Sequence, residues 1–149
     1  MTQRTLALAV DLGGTKVEAA LVDDAGSVLD SSRFRQPTGR HSSTEHLASS
    51  VSTVVRHSLA TLPQGSKLAG AGIGSAGPIT VAHGQVSPLN LPAWRDYPRR
   101  DLVAAELNGL PVSLRMDGEC ITLAEHWRGA AQGETNVMGM VVSTGIGGG

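Results

Sequence analysis

The chain has 149 residues, of which 40% are hydrophobic and 17% charged, and its formal net charge is −1. That is the length of one domain, with enough apolar content to bury a core. The near-neutral balance argues against a nucleic-acid surface or a membrane-seeking patch, and the single cysteine, Cys120, cannot close an internal disulfide, which suits a reducing compartment.

The first residues, MTQRTLALAVDLGG, lack the long apolar run and cleavage site of a secretory leader. No apolar stretch approaches the roughly 18 residues of a membrane span, so a cytoplasmic location is expected. Leu6 to Val10 reads as a buried strand. After DLGGT, Lys16 to Val22 puts Val17, Ala19 and Leu21 on one face at a period of two. Asp23 to Gly26 is turn chemistry, and Ser27 to Arg33 reads as a third antiparallel strand.

Ser42 and Glu45 have the spacing of a capping box, followed by Leu47, Val51, Val54, Val55 and Leu59 at helical spacing, with Pro63 and Gly65 as the stop. Leu68 to Ile73 is a buried strand that leaves through GSAGP. Ile79 to Val86 is a small hairpin, and a loop with Asn90, Pro92 and Trp94 follows. A short helix over 99–107 stops at Asn108-Gly109, Pro111 to Arg115 is a strand, and Asp117 caps a helix with the stripe Cys120, Leu123, Ala124 and Trp127. Glu125 and Arg128 have the spacing of a surface pair, and Val137 to Val142 is the last strand. Strands first, then helices alternating with strands, predict an α/β domain with a mixed sheet flanked by helices.

The segment DLGGTK, residues 11–16, carries the most chemistry. A hairpin would need only the glycines. A phosphate site would use all of it: the glycines let amide N–H groups face an anion, and Thr15 adds a hydroxyl donor. Asp11 would repel a phosphate unless a cation stood between them, which points to Mg²⁺. Gly72, Gly74 and Gly77 spell a dinucleotide fingerprint, but Pro78 and a β-rich segment follow where a helix would have to open. These glycines read instead as a strand exit that something approaches closely. Asp117 follows a strand and precedes a helix. N-capping is the ordinary job there, yet this end of an α/β sheet is also where ligands sit, and the helix dipole favours the ionised carboxylate a general base requires. STGIGGG, residues 143–149, repeats the glycine and threonine chemistry of the first loop. The five histidines form no zinc pattern with Cys120.

Taken in order, these segments resemble the ROK family of sugar kinases and repressors, its bacterial glucokinases above all. DLGGTK looks like the family's first phosphate loop, and GIGSAGPIT at 72–80 like its G-x-G-x-P-G segment with Ala76 in place of proline. NLPAW at 90–94 looks like the segment beside the sugar, RMDGECITLAEHWRGAA at 115–131 like N-D-A-N-x-x-A-x-x-E-x-x-x-G, and STGIGGG like the second phosphate loop.

The resemblance implies an actin-like, ribonuclease-H-like fold of two domains with sugar and ATP in the cleft between them. Residues 1–149 would be the N-terminal domain, and 144–149 would begin the second phosphate loop. Asp117 would be the catalytic base. Gly13, Gly14, Thr15, Lys16, Thr144, Gly145 and Gly147 would hold the nucleotide's phosphates, Gly77, Asn90, Asp117 and Glu119 the sugar, and Asp11 the Mg²⁺. The activity implied is ATP-dependent phosphorylation of a hexose or hexosamine hydroxyl, by a dimer when full length.

The family's second half, with its structural Zn²⁺ site and adenosine pocket, is expected beyond this chain, so the piece alone is expected to be inactive. A sugar-responsive repressor and a non-catalytic sugar-binding protein are the alternatives. The repressors carry a helix-turn-helix before the sugar domain, and here the first loop already begins at residue 11. Met116 and Glu119 depart from the family's asparagines on either side of the aspartate, and a thioether cannot replace an amide's donors and acceptors.

Overall fold

The first strand, β1 (Thr5–Leu12), alternates strictly, with Leu6, Leu8, Val10 and Leu12 buried and the residues between them exposed. Its antiparallel partner β2 (Lys16–Asp23) sets Leu21 opposite Leu8, Ala19 opposite Val10 and Val17 opposite Leu12, so one face of the pair is continuous apolar surface. The computed structural model, which describes residues 3–142 and 146–149, lays helix α1 (Thr44–Ala60) on that face through Leu47, Val51, Val54 and Val55, all buried. The cap of α1 is Ser43, one residue later than the expected box. Its hydroxyl accepts the His46 N–H at 3.2 Å, because the extended backbone of Ser43 aims the side chain at the third residue on.

The segment expected as a third strand, Ser27 to Arg33, is not one. A single bridge joins Val28 to Val22, a 3₁₀ turn covers Asp30–Ser32, and the true third strand, β3 (Phe34–Pro37), comes later. The cause is Ser32. Its buried hydroxyl donates to the Leu29 carbonyl at 2.6 Å and accepts the Leu21 N–H at 2.8 Å, filling a position that a neighbouring strand's carbonyl would occupy. Ser32→Ala leaves that buried N–H unpaired and is expected to cost about 1–3 kcal/mol, read as a lower urea midpoint at unchanged slope.

Strand β4 (Lys67–Ser75) lies parallel to β1, and β7 (Val112–Met116) lies parallel to β4. The five-stranded sheet therefore runs β3-β2-β1-β4-β7, mixed in direction, as the sequence predicts. Between β4 and β7 come the hairpin of β5 (Ile79–Thr80) and β6 (Gln85–Val86), the loop through Asn90, and helix α2 (Arg99–Ala104), which packs on the α1 side through Val103.

Helix α3 (Asp117–Arg128) crosses the opposite face, and a separate ribbon of β8 (Met140–Val142) and β9 (Ile146–Gly148) follows. The stripe expected to bury α3 does not reach the core: Leu123 is 57% and Trp127 48% exposed. Glu125 and Arg128 do not pair either. Glu125 accepts the Ala130 N–H, and Arg128 donates to the Asp24 carbonyl across the molecule. Among the described residues no helix is long and apolar enough to cross a membrane.

Candidate active site

Parallel β1, β4 and β7 end together, and the chain's chemically distinctive residues gather at those ends. In register across the sheet lie Arg115 of β7, Gly74 of β4, Asp11 of β1, Glu18 of β2 and Arg35 of β3. This charged row crosses a face otherwise built of small residues. Between it and α3 lies a cavity of about 840 Å³ whose walls include Asp11, Glu18, Arg33, Arg115, Asp117 and Cys120. The two carboxylates singled out from sequence, Asp11 and Asp117, thus share one space.

Asp11 lies on the exposed face of β1, but crowding in the cavity desolvates it in part and raises its pKa above the ordinary carboxylate value; the Lys16 and Arg99 charges pull it back, and Asp117 and Glu18 push it up again. Among the described residues its carboxyl has no side-chain hydrogen-bond donor. A carboxylate crowded by two others and short of donors is a fitting oxygen ligand for a hard cation such as Mg²⁺.

Glu18 is the opposite case. Burial works against its ionisation, but bonds from Arg33, Arg35 (2.7 Å) and Lys16 (3.3 Å) outweigh it and hold the pKa at about 2 against an ordinary 4.5. A carboxylate depressed on folding adds stability above its unfolded pKa and loses it as pH falls through the folded one. The wild type is therefore expected to lose more stability than Glu18→Gln between pH 4.5 and about 2, as followed by denaturant titration at each pH.

The first glycine loop takes the hairpin form that the sequence left open. It is the β1–β2 hairpin, closed by the Gly13 N–H donating to the Lys16 carbonyl at 2.8 Å, so Gly13 spends its amide on the turn and the Gly14 and Thr15 amides lie outside that bond. Thr38 braces the loop, donating its hydroxyl to the Gly13 carbonyl and its N–H to the Thr15 carbonyl. Lys16 donates to the Glu18 carboxylate at 3.3 Å while its side chain stays 42% exposed.

The loop needs Gly14 for space: a Cβ there would lie 2.9 Å from Cγ of Asn90. The DLGGT loop and the NLPAW loop are therefore in direct contact. The second loop is held by Arg95, which donates to the carbonyls of Pro88, Leu91 and Trp94 around Asn90.

Asp117 is the first residue of α3 rather than its cap. The cap is Met116, in extended conformation, and the Glu119 carboxylate reaches back to accept the Met116 N–H at 3.3 Å. Among the described residues the Asp117 carboxylate accepts one bond, from the N–H of Gly118 at 2.8 Å, and it lines the cavity. Gly77 lies against Met116, since a Cβ on it would be 3.1 Å from the Met116 sulfur.

Of the third glycine segment, Thr144 and Gly145 lie outside the described residues. Gly147 pairs with Val141 in the β8–β9 ribbon, and the ribbon's end docks on α3. A Cβ on Gly118 would be 2.7 Å from the Gly148 oxygen, and the Thr122 hydroxyl reaches the Gly149 oxygen at 3.1 Å. Sequence reasoning had no claim on Gly118, Glu18 or Arg99. For Arg99 a signal existed: with Val103 and Leu107 it forms an i, i+4, i+8 row, the buried side of a helix.

The pattern that defines the ROK family matches residues 7–149. The chain belongs to the ROK family. Among relatives of this ROK chain, the glucokinase of Streptomyces coelicolor is 31% identical over 144 residues, covering 97% of this chain and 43% of that protein. The N-acetylmannosamine kinase of Yersinia pseudotuberculosis serotype O:1b is 32% identical over 145 residues, covering 95% and 46%. In structure it is similar to the ROK family glucokinase of Streptomyces griseus solved with glucose and AMPPNP, with a TM-score of 0.78 at 31% identity over 96% of this chain and 43% of that one. This ROK chain spans less than half the length of the curated relatives it matches. Its mixed sheet between helices is the actin-like fold of the ROK kinases, as the sequence led us to expect.

Proposed function

We propose that this chain is the N-terminal half of a sugar kinase that transfers the γ-phosphoryl group of ATP to a hydroxyl of a hexose or hexosamine. The observation that carries the reading is the convergence of Asp11 and Asp117 on one cavity at the strand ends, with glycine segments packed against both. Asp117 takes the proton of the sugar hydroxyl, the sugar oxygen bonds to the γ-phosphorus, and the bond from that phosphorus to the bridging oxygen breaks to release ADP.

The amides of Gly14 and Thr15 and the third glycine segment, including Thr144, Gly145 and Gly147, receive phosphate oxygens. Lys16, tied to Glu18, adds positive charge from the side. Asn90 and Gly77 flank the sugar, and Glu119 acts on it by fixing the first turn of α3. Asp11 holds the Mg²⁺, which when bound shields the phosphate charge. The fold needs a second domain to close over the nucleotide and exclude water, so the 149-residue piece by itself turns over negligibly. Structural zinc belongs to that other half, the full-length protein is a dimer, and it works in the cytoplasm.

Met116, where an amide would contact sugar, favours one second reading, a sugar-binding protein without turnover. The full-length protein assayed for ADP release over a panel of hexoses and hexosamines decides: turnover on at least one supports the kinase, and binding of a sugar with no turnover on any supports the alternative.

A further inference from the structure

Arg99 is the most anomalous side chain in the molecule. It is completely buried, and among the described residues none of its three guanidinium nitrogens has a hydrogen-bond partner. The indole nitrogen of Trp94, also fully buried, lacks a partner as well. The guanidinium lies 5.7 Å from the centre of the Trp94 ring, which stacks flat on Tyr97 at 4.2 Å. A cation–π contact offsets only part of the desolvation of a full charge. An apolar residue would suit this position better, since Val103 and Leu107 continue the same face into the core. The charge is therefore a cost to folding that nothing inside the described chain repays.

The position of this charge points to a use. Trp94 closes the NLPAW loop, with its N–H on the Leu91 carbonyl, and Asn90 of that loop rests on Gly14 of the phosphate loop. Arg99 stands on the α1 and α2 side of the sheet, Asp11 projects on the other side, and the glycine turn lies at the strand end between them. Asp11 is also the carboxylate that feels the Arg99 charge. In a low-dielectric interior a fixed charge acts over a longer distance than in water.

We propose that Arg99 is a positioning residue for anion binding: its buried, uncompensated charge offsets Asp11 and lets the Gly13–Gly14 loop hold a phosphate group with reduced dependence on a divalent cation. The proposal rests on the reading of that loop as a phosphate site, but not on turnover.

The test is calorimetric titration of the full-length protein with inorganic tripolyphosphate, with Mg²⁺ and with EDTA, alongside thermal melts. Arg99→Met is expected to weaken tripolyphosphate binding at least tenfold in EDTA and by less in Mg²⁺, while its melting temperature holds or rises. Arg99→Lys, which keeps the charge, is expected to bind within about threefold of wild type in both buffers. Unchanged affinity in Arg99→Met overturns the proposal and leaves Arg99 a frustrated core residue. If Arg99→Met melts too low to titrate, the neutral Arg99→Gln takes its place: a tenfold loss in EDTA with Arg99→Lys near wild type supports the charge, and wild-type affinity in Arg99→Gln overturns it. A wild type that fails to bind tripolyphosphate in either buffer removes the phosphate-loop reading itself. Absence of sugar turnover with these affinities intact removes only the kinase reading.

Discussion

Asp117→Asn in the full-length protein is expected to lower kcat by about 10²–10⁴-fold while sugar affinity stays within a few-fold. The substitution keeps size and the cavity-facing position, and an amide oxygen still accepts the 2.8 Å bond from the Gly118 N–H. What it removes is the capacity to take a proton. A structural role as a helix-start residue predicts a different result, a lower melting temperature with turnover nearly intact, because asparagine is a weaker partner for the helix dipole. Steady-state kinetics with a thermal melt separates the two. Turnover within tenfold of wild type would falsify the assignment of Asp117 as base.

Gly118→Ala is the second large effect. The added Cβ would run into the backbone of one residue, at 2.7, 2.9 and 3.1 Å from the oxygen, carbon and nitrogen of Gly148. Backbone has no rotamer with which to give way, so the β8–β9 ribbon must lift from α3. Alanine is the better helix former by up to about 1 kcal/mol, so α3 itself is not weakened. The expected signature is therefore a loss of about 10²-fold in kcat/KM for ATP, from misplacement of the third glycine segment, with a melting temperature that barely moves. Wild-type kcat/KM in Gly118→Ala would show that the close approach of the ribbon is incidental to nucleotide binding. Gly14, whose clash is with the movable end of Asn90, is expected to respond more mildly and mainly through sugar KM.

These two residues also mark the boundary between what could be read from the chain and what could not. Asp117 was legible because a carboxylate after a strand and before a helix has few positions to occupy. Alternation in β1, helical spacing in α1 and the turn residues around them specify the sheet locally, because each depends on neighbours two to four residues apart. The five ordered segments from DLGGTK to STGIGGG carry the family by themselves.

The third strand failed because Ser32 spends its hydroxyl on Leu21, eleven residues away. The stripe on α3 failed because periodicity reports that a face is apolar, not that something covers it; here it looks into a cavity. The contacts Gly14–Asn90, Gly118–Gly148 and Glu18–Arg33 join residues 15 to 76 positions apart. Such pairings have no local signature. They exist only once the parallel strands end side by side, and that convergence, decided by packing across the sheet, turns separate motifs into one candidate site.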